Sequence, residues 1–509
     1  MQILSTNQIR KADLHTLASL KISSTDLMER TAKTCFEWLI KHMRSDAHYA
    51  VLCGPGNNGG DGWVIARLLK NAGKKVHVFA LDVSEISQDN AINKERFLSS
   101  GNEFSVLREN SAGQMHDATV IIDALFGSGL NRAIDKELAS LIRSINHLKA
   151  LRISIDSPSG FFTEIPMHDK ANAIHAHHTL CFHSPRLMFL FPESQQYIGN
   201  WHVLNIGLIQ PETADFMDDP FSKFQYNLLP DLREMLLKPK QFAHKGNNGH
   251  ALIIGGSHGK TGAVVMAIKA CIRSGVGLCS SYIPAESYSI LQTSVPEAMV
   301  FTSEEMGHLS GSFNPEPFGA IGFGPGAGLH DDTVRLFKNL LQNTSGSLVI
   351  DADGLNILAE NKTWLSFIPN NSILTPHPGE LDRLTQKANS GFERLENARE
   401  LSRKSGAIVV LKGAFTAVCN SSGEVHFNST GNAGMAKGGS GDVLTGLLTG
   451  LLARGIPALH SAKLAVFIHG LAGDIACEKK GIIAMHAGDI LDSISDAWIS
   501  AYRDLSMVE

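Results

Sequence analysis

The sequence has few cysteines, no signal-like start and no long hydrophobic run. Its seven cysteines are scattered, odd in number and contain no C-x-x-C pair, which favours reduced thiols in a reducing compartment. No apolar run approaches the ~18 residues that a membrane-spanning helix needs. The first twenty residues carry charges and lack an apolar stretch followed by a cleavage site. We therefore expect a cytoplasmic protein without a secretory signal.

Excess positive charge is also missing. Lysine and arginine number 45 against 50 aspartate and glutamate, giving a net charge of −5. This balance excludes a general basic surface for nucleic acid or for an anionic membrane. A phosphate-rich ligand would have to be held by local backbone donors and a few placed cations. The 43% apolar and 19% charged residues are typical of globular protein.

Short β-rich runs alternate with helical patterns, which predicts doubly wound α/β folds whose parallel sheets are covered on both faces. Such folds bind ligands at the carboxyl ends of their strands. The alternation breaks in the region 207–245, which holds four prolines. We place the domain junction near 215–230, giving domains 1–215 and 230–505. The predicted strands are 49–53, 75–80, 119–125, 151–156, 179–182, 202–206, 250–256, 278–283, 318–324, 347–351, 371–375 and 407–412.

A glycine-rich turn follows the first predicted strand. It reads Gly54-Pro55-Gly56-Asn57-Asn58-Gly59-Gly60-Asp61-Gly62 and precedes the predicted helix WVIARLLKNAG. Glycines let the backbone approach a ligand closely, and a helix start offers free N–H groups to a phosphate. We predict a ligand-binding turn here, the alternative being a plain strand-to-helix connection.

Two further strand ends carry polar residues. Asp123 precedes a second glycine-rich turn, which lacks the third glycine of the dinucleotide fingerprint but has Arg132 within reach of a phosphate. Asp156 leaves the next strand and is a natural proton carrier. Oxygen atoms of Asn, Asp and Ser at these strand ends suit a hard cation. The structural alternatives are helix caps for the two aspartates and a surface charge for Arg132.

These motifs, in this order, resemble the NAD(P)H-hydrate epimerase family over roughly residues 1–210. The resemblance implies a Rossmann-like fold and a K⁺ site formed by Asn58, Asp123 and Ser159. The sequence departs from the family pattern at Ser157, at Thr31-Ala32 and at Arg186, where isoleucine, an Ala-Gly pair and lysine are usual. The hydrate-binding residues that the resemblance implies are Asn57, Asn58, Gly59, Gly60, Asp61, Gly127, Ser128, Gly129, Leu130, Asn131, Arg132, Ala133 and Asp156.

The strongest motif of the second half is Gly438-Gly439-Ser440-Gly441-Asp442, which opens an apolar helix. Consecutive N–H groups at such a helix start form a site for phosphoryl charge. Asp442 is positioned to take a proton from an attacking hydroxyl. This chemistry depends mostly on positioning and electrostatics. A glycine-rich cap on a core helix is the structural alternative.

Other strand ends supply loops that we expect to converge on this motif. The run 321–328 admits close backbone approach, and Asp351 and Asp353 carry carboxylates suited to Mg²⁺ or substrate. His377 stands between two prolines, which fix its orientation, and the segment 412–416 can hold a nucleotide phosphate or base.

The segment Gly255–Thr261 resembles a P-loop. Three residues separate Gly255 from Gly259, whereas the P-loop needs four between its glycines. We therefore predict a strand-to-helix turn that lines the substrate pocket, with Ala263 nearby.

Residues 235–505 resemble the ADP/ATP-dependent NAD(P)H-hydrate dehydratases, which have a ribokinase-like fold. The fusion of both halves resembles the bifunctional bacterial enzymes, where ADP is the usual nucleotide. The resemblance thus implies K⁺, Mg²⁺ and the co-substrate ADP, with hydrated NADH or NADPH as substrate. It implies hydrate contacts at Ala263, Gly326, His377 and Asp442, and nucleotide contacts at Lys412, Gly413, Ala414, Phe415, Thr416 and Gly441.

The combined expectation is an enzyme that epimerises the R and S forms of NAD(P)H hydrate and dehydrates the S form at the expense of ADP. Asp156 would relay a proton in the first reaction, and Asp442 would be the base of the second. We expect a homo-oligomer with no nucleic acid or membrane partner. Two alternatives stay open: a ribokinase-like small-molecule kinase, such as a hydroxyethylthiazole kinase, and a non-catalytic N-terminal binding module like those of mRNA-decapping scaffolds. The polar residues Asn58, Asp123 and Asp156 argue against the second.

Overall fold

The chain divides into two compact units, residues Gln2–Ser222 and residues Lys223–Glu509 together with Met1. The computed structural model describes residues 1–130, 132–167, 172–236 and 240–506, and the side chains of 504–506 are not described. Each unit has its own sheet and its own hydrophobic core. Within the described ranges, no helix is both long and apolar enough to cross a membrane.

The N-terminal unit contains a seven-stranded sheet of order β3-β2-β1-β4-β5-β6-β7, in which every neighbouring pair is parallel. Its strands are β1 (His48–Cys53), β2 (Lys75–Leu81), β3 (Phe104–Leu107), β4 (Val120–Ala124), β5 (Leu151–Ile155), β6 (His178–Phe182) and β7 (Asn200–Leu204). Its helices are α1 (Thr6–Leu20), α2 (Ser24–His42), α3 (Asn57–Asn71), α4 (Gln88–Ser99), α5 (Lys136–Asn146), α6 (Gln195–Ile198) and α7 (Ala214–Met217).

Helices cover both faces of this sheet, as its continuous apolar strands require. On β4, Ile122 packs into the core under α1, α2 and α3, whereas the adjacent Ile121 packs into the core that includes α5. The predicted Rossmann-like α/β fold of this half is confirmed.

The C-terminal unit contains a ten-stranded sheet of order β11-β10-β9-β12-β13-β14-β15-β16-β17-β8. Its strands are β8 (Phe224–Asn227), β9 (His250–Ile254), β10 (Leu278–Ile283), β11 (Met299–Thr302), β12 (Ala320–Phe323), β13 (Ser347–Ile350), β14 (Ile373–Leu374), β15 (Ile408–Leu411), β16 (Ala417–Cys419) and β17 (Val425–Asn428). Its helices are α8 (Thr261–Arg273), α9 (Tyr288–Ser294), α10 (Asp331–Asn343), α11 (Ala352–Glu360), α12 (Pro378–Leu384), α13 (Gly391–Ser405), α14 (Ser440–Ala453), α15 (Ala458–Lys480) and α16 (Ala487–Ser506).

The expectation of purely parallel sheets is wrong at one side of this unit. Strands β15, β16 and β17 pair antiparallel, and β8 pairs parallel with β17. Only five residues separate β15 from β16 and β16 from β17, which suits a hairpin and is too short for a parallel crossover. The rest of the sheet is parallel, and the predicted α/β class of this half is confirmed.

Helix α14 is held in place by a close approach to α8. A methyl group added at Gly446 would lie 1.9 Å from the backbone oxygen of Ala267, and one at Gly450 would lie 2.0 Å from Ser274 Oγ. The two glycines stand four residues apart, on the same face of the helix. This contact fixes the position of the start of α14, which carries the strongest sequence motif.

Candidate active sites

A cavity of about 860 Å³ opens where the strand order of the N-terminal sheet reverses, between β1 and β4. Loops from the carboxyl ends of both strands line it, as expected for a ligand site in a doubly wound sheet. The predicted residues that line it are Asn57, Asn58, Asp61, Gly127, Ser128, Gly129, Leu130, Arg132 and Asp156.

The Asn57–Asp61 segment is the first turn of α3, so the prediction of a turn before a helix beginning at Trp63 is wrong. Glycine is needed here because α3 lies against the sheet. A methyl group at Gly59 would lie 1.9 Å from the backbone oxygen of Gly54, and one at Gly62 would lie 2.9 Å from Cys53 Sγ. No side chain caps the helix at Gly56, which leaves its first N–H groups available to an anion.

Asp123 is fully buried beside Ser159. The carboxylate accepts hydrogen bonds from Ser159 Oγ at 2.5 Å, from Ser159 N at 2.9 Å and from Ser154 Oγ at 2.7 Å. Burial raises the pKa of Asp123, and these donors oppose the rise. Both amide atoms of Asn58 are buried, and neither has a hydrogen-bond partner in the part of the chain that the structure describes. The structure thus brings Asp123 and Ser159 into contact and leaves one potential oxygen ligand, Asn58 Oδ1, without such a partner.

Asp156 forms a buried ion pair with Arg186. Its Oδ1 lies 2.5 Å from Arg186 Nη2, and its Oδ2 accepts from the backbone N–H of Ser128 at 2.6 Å. Although burial favours the neutral acid, Arg186 and the Ser128 amide hold the pKa of Asp156 below its usual value. Asp156 has a φ of 65°, a left-handed conformation that is uncommon outside glycine. Arg186 Nε and Nη1 are buried and have no hydrogen-bond partner among the described residues.

The loop 127–133 is anchored at one end and exposed at the other. A methyl group at Gly127 would lie 2.5 Å from Asp156 Oδ2, so only glycine fits there without a shift. Leu130 N donates to Gly127 O at 3.3 Å, while Arg132 and Ala133 are exposed. The predicted residue Asn131 lies outside the described residues.

The sequence analysis did not assign Asp13, on α1, to this cavity, although it lines it together with Asp61. Neither carboxylate has a hydrogen-bond or ion-pair partner among the residues that the structure describes. Burial, together with the nearby Asp156, raises the pKa of Asp13 to about 6 and that of Asp61 well above its usual value. Asp13 shares one face of α1 with other cavity-lining residues at the i, i+3, i+4 and i+7 spacing, and this spacing is the signal that could have assigned it to the cavity.

In the C-terminal unit, α14 begins directly after Gly439, which has a φ of 94°. That left-handed conformation favours glycine, and it leaves no side chain to cap the first N–H groups. Asp442 lies in the first turn, and its carboxylate has no partner within the described parts of the chain. Burial, with Asp351 and Asp353 nearby, raises the pKa of Asp442 to about 7 against the opposing effect of Lys412. An uncapped helix start thus stands beside an unpaired carboxylate.

Asp351, at the end of β13, forms the buried centre of this site. Its Oδ1 lies 2.7 Å from Lys412 Nζ, and its Oδ2 accepts from Thr445 Oγ1 at 2.7 Å. Lys412 Nζ also lies 3.8 Å from a carboxylate oxygen of Glu380. A methyl group at Gly441 would lie 3.5 Å from Lys412 Nζ. The structure therefore brings Lys412 and Gly441 together, as predicted for nucleotide contacts, with the ammonium turned towards Asp351.

His377 caps α12 and is oriented by that role. Its Nδ1 accepts from the backbone N–H of Gly379 at 3.0 Å, so Nε2 carries the ring proton in the neutral form. The backbone N–H of His377 in turn donates to Glu380 at 2.8 Å. The half-exposed ring is thus fixed at Nδ1, and its Nε2 lies 3.5 Å from Glu380 Oε1.

Two predicted hydrate-contact residues are neighbours at the switch point between β9 and β12. A methyl group at Gly326 would lie 3.4 Å from Ala263 Cβ. The adjacent Lys260 binds Asp353 at 3.2 Å, and Asp353 also accepts from Gly328 N at 2.8 Å. The P-loop-like turn 255–261 therefore borders this loop: Ser257 N donates to Gly326 O at 2.6 Å.

The segment after β15 turns directly into β16. Gly413 and Ala414 are exposed, and Thr416 Oγ1 donates to Gly413 O at 3.1 Å. Phe415 lies against Tyr226 with ring centroids 6.4 Å apart. Lys412 N donates to Pro376 O at 2.9 Å, which holds this segment beside the His377 loop.

Each of the two α/β units has a glycine-rich helix start beside carboxylates, an arrangement typical of enzymes that bind phosphate-bearing ligands. Residues 251–496 match the family model described as NAD(P)H-hydrate dehydratase, and residues 24–188 match the YjeF-related protein N-terminus. The chain belongs to the family of bifunctional NAD(P)H-hydrate repair enzymes, and the predicted membership is confirmed.

Relatives match along the whole chain. The enzyme of Moorella thermoacetica is 34% identical over 97% of this chain and 96% of its own length, and that of Escherichia coli is 31% identical over 96% and 92%. Both are named bifunctional NAD(P)H-hydrate repair enzymes. The solved ADP/ATP-dependent NAD(P)H-hydrate dehydratase of Bacillus subtilis, co-crystallised with ATP and Mg²⁺, is 25% identical with a TM-score of 0.47. The match covers 54% of this chain and 98% of the Bacillus subtilis chain.

Proposed function

We propose that the N-terminal unit interconverts the R and S forms of hydrated NADH or NADPH and that the C-terminal unit dehydrates the S form with ADP. The observation that carries the proposal is the start of α14, where uncapped N–H groups stand beside the unpaired Asp442. A partly buried carboxylate with a pKa of about 7 is a suitable base near neutral pH. In this proposal the domains 1–215 and 230–505 each hold one activity.

The proposed dehydration begins at the hydroxyl on C6 of the substrate ring. Asp442 takes the hydroxyl proton, and the oxygen attacks the terminal phosphorus of ADP. The bond between that phosphorus and the bridging oxygen breaks, and AMP leaves. The N–H groups of residues 438–441 stabilise the charge on the phosphoryl group during transfer. The C6–O bond then breaks, phosphate departs with the electron pair, and a proton is lost from C5. The new C5=C6 bond restores the dihydronicotinamide ring.

The buried residues around Asp442 position it and set its charge. Lys412 neutralises Asp351, and Thr445 holds the second oxygen of that carboxylate one turn from Asp442 on α14. Asp351 and Asp353 are each bound to a lysine, so they do not form a vacant carboxylate cage for Mg²⁺. Mg²⁺ fits better as an ion that enters with the nucleotide phosphates, as is usual for this metal.

In the N-terminal unit, Asp156 is the proposed proton relay of the epimerisation. Its pairing with Arg186 keeps it ionised and able to accept a proton. The α3 start, the loop 127–133 and the free guanidinium nitrogens of Arg186 supply donors for the phosphates or amide of a dinucleotide. These placed donors meet the requirement set by a chain whose net charge is −5.

A monovalent cation fits the group Asn58, Asp123 and Ser159. Asp123 has no cationic partner among the described residues, and Asn58 has two unpartnered buried amide atoms. The carboxylate of Asp123, the hydroxyl of Ser159 and Oδ1 of Asn58 are oxygen ligands, which a hard cation prefers. Bound K⁺ would neutralise the charge of Asp123.

The test uses the full chain with hydrated NADH, ADP and Mg²⁺. Recovery of the reduced-nicotinamide absorbance, with release of AMP and phosphate, is the expected result. Asp442→Asn should abolish recovery, and Asp156→Ala should restrict it to the S form of the hydrate. A stable phosphorylated alcohol would instead support the small-molecule kinase. Recovery at the wild-type rate in Asp442→Asn would contradict the assigned base.

A further inference from the structure

Helix α1 forms one wall of the N-terminal cavity. Thr6 Oγ1, at its start, donates to Ser128 O at 3.2 Å, which joins the helix to the loop after β4. Positions 6, 10, 13 and 17 recur at the helical spacing and all line the cavity, so Asp13 lies on the ligand side of α1. Arg10 Nη2 would lie 3.5 Å from a methyl group at Gly129, which places this face beside the same loop.

The cavity therefore holds two kinds of carboxylate on different elements. Asp156 follows the end of β5 directly and forms an ion pair with the buried Arg186. Asp13, on α1, has no partner among the described residues. Burial raises the pKa of Asp13 to about 6, whereas Arg186 keeps that of Asp156 below its usual value despite burial. Environments that separate the pKa values of two neighbouring carboxyl groups mark one as an acid and the other as a base.

Other charged groups also face this cavity. Asp61 on α3 and Asp89 on α4 are acidic, while Arg10 on α1 and Arg132 in the loop after β4 are basic. Asp89 is already bound to Ser24 Oγ at 2.9 Å and to a second hydroxyl of α2. Asp61 is more deeply buried than Asp13 and is the competing candidate for a neutral carboxyl group.

We infer that Asp13 is the proton donor of the epimerisation and that Asp156 is its proton acceptor, an assignment that rests on the function proposed above. Epimerisation at C6 needs both roles, because one bond to C6 must break and be remade on the other face of the ring. A single ionised carboxylate paired with arginine supplies only the acceptor.

In one direction, the reaction removes water from one face of C6 and adds water to the other. Asp13 gives its proton to the C6 hydroxyl, the C6–O bond breaks with its electrons on oxygen, and water leaves. The lone pair of N1 forms the N1=C6 double bond. A water molecule then adds to the opposite face of C6 and gives a proton to Asp156, while the N1=C6 electrons return to N1. Solvent carries the proton from Asp156 back to Asp13 before the next turnover.

The experiment measures epimerisation of pure R hydrate by the full chain between pH 5 and 8. Wild-type kcat/KM should fall as pH rises through about 6, because the donor must be protonated. Asp13→Asn should lower kcat by about 10²–10⁴-fold and remove the falling limb. Asp13→Glu, which keeps a titrating carboxyl group, should retain the limb and exceed Asp13→Asn in rate. The matched control is Asp215→Asn, since Asp215 is exposed and binds Lys11 on α1 outside the cavity.

The outcomes separate this inference from the proposed function. A wild-type chain without epimerase activity refutes the proposed function, and the inference fails with it. An active wild type whose Asp13→Asn variant keeps its rate and its falling limb overturns only the inference. Loss of the limb in Asp61→Asn but not in Asp13→Asn assigns the donor to Asp61 and also overturns it. If Asp13→Asn does not fold, the wild-type profile decides: the absence of any falling limb near pH 6 overturns the inference as well.

Discussion

Replacing Asp442 by asparagine tests whether the ionised carboxylate of this residue lowers the stability of the folded C-terminal unit. Burial, with Asp351 and Asp353 nearby, raises the pKa of Asp442 from 3.8 to about 7. This difference of about three pH units corresponds to about 4 kcal/mol. Because the pKa of Asp442 is higher in the folded state, the group does not lower the free energy of unfolding below pH 3.8, where it is protonated in both states. The cost in stability grows as pH rises from 3.8 towards 7 and stays constant above that.

Asparagine does not ionise, so Asp442→Asn is expected to unfold less readily than the wild type above pH 7. Allowing for local relaxation, we expect a gain of about 2 kcal/mol in the free energy of unfolding of the C-terminal unit at pH 8. The assay is hydrogen exchange of the α14 amides in the full chain, followed by mass spectrometry. A gain of that size slows exchange about 30-fold. At pH 4 the two chains should exchange at nearly equal rates.

The control variant is Asp492→Asn, whose carboxylate is 78% exposed and lies 3.7 Å from Arg273. Its effect should stay below about 0.5 kcal/mol at both pH values, as for most surface substitutions. Equal or faster exchange of α14 in Asp442→Asn at pH 8 would refute the reasoning, because the ionised group would then be well solvated or paired. Slower exchange together with lost dehydration would separate the catalytic role of Asp442 from a structural one.

Three further predictions concern catalysis and packing. The kcat/KM of dehydration should rise with pH through about 7, because Asp442 must be ionised to accept a proton, and a pH–rate series checks this. Arg186→Gln leaves Asp156 buried and unpaired, so calorimetry should show a loss of about 3–5 kcal/mol that adding Asp156→Asn largely restores. Gly446→Ala places a methyl group 1.9 Å from a backbone oxygen of α8 and should cost about 1–3 kcal/mol in a thermal melt. Its control is Gly262→Ala, since a methyl group there meets nothing within 4 Å.

The sequence predicted best what depends on continuous apolar runs. The strand observed at Val120–Ala124 lies inside the predicted run 119–125, and Leu278–Ile283 coincides with its prediction. Such runs are required by a parallel sheet that is buried on both faces. Parallel strands also share one carboxyl edge, which is why loops distant in sequence line one cavity.

What the sequence did not predict depends on long-range packing. Strand Phe224–Asn227 pairs with Val425–Asn428, about 200 residues away, and no local pattern indicates that partnership. Helix α3 begins at Asn57 although three of its first six residues are glycines, which alone argue against a helix. Neighbouring elements, such as Met28 of α2 beside Gly60 and Cys53 of β1 beside Gly62, leave no room for larger side chains there. Asp13 lies in none of the sequence motifs that indicated a site. Its neighbours Asp156 and Arg186 become close only when the sheet forms.

In the N-terminal site one cation separates the pKa values of two carboxyl groups. Arg186 stabilises the charge on Asp156, and that charge acts together with burial to raise the pKa of Asp13 to about 6. Removing the cation would therefore change both groups, because Asp156 would then compete with Asp13 for the same proton. A lysine in this place would supply the charge but not the additional buried guanidinium donors.

The C-terminal site uses the same arrangement on a different sheet. Lys412 holds Asp351 ionised, and the charge of Asp351 raises the pKa of Asp442 while Lys412 itself lowers it. Burial is the main cause of the raised pKa of Asp442, and the opposing charges of Asp351 and Lys412 adjust it to about 7. Both charges are buried in the protein, so added salt screens them weakly. The pKa of Asp442 should therefore depend far more on the presence of Lys412 than on ionic strength. The sequence around Asp442 does not specify this dependence, because Asp351 and Lys412 come from distant segments.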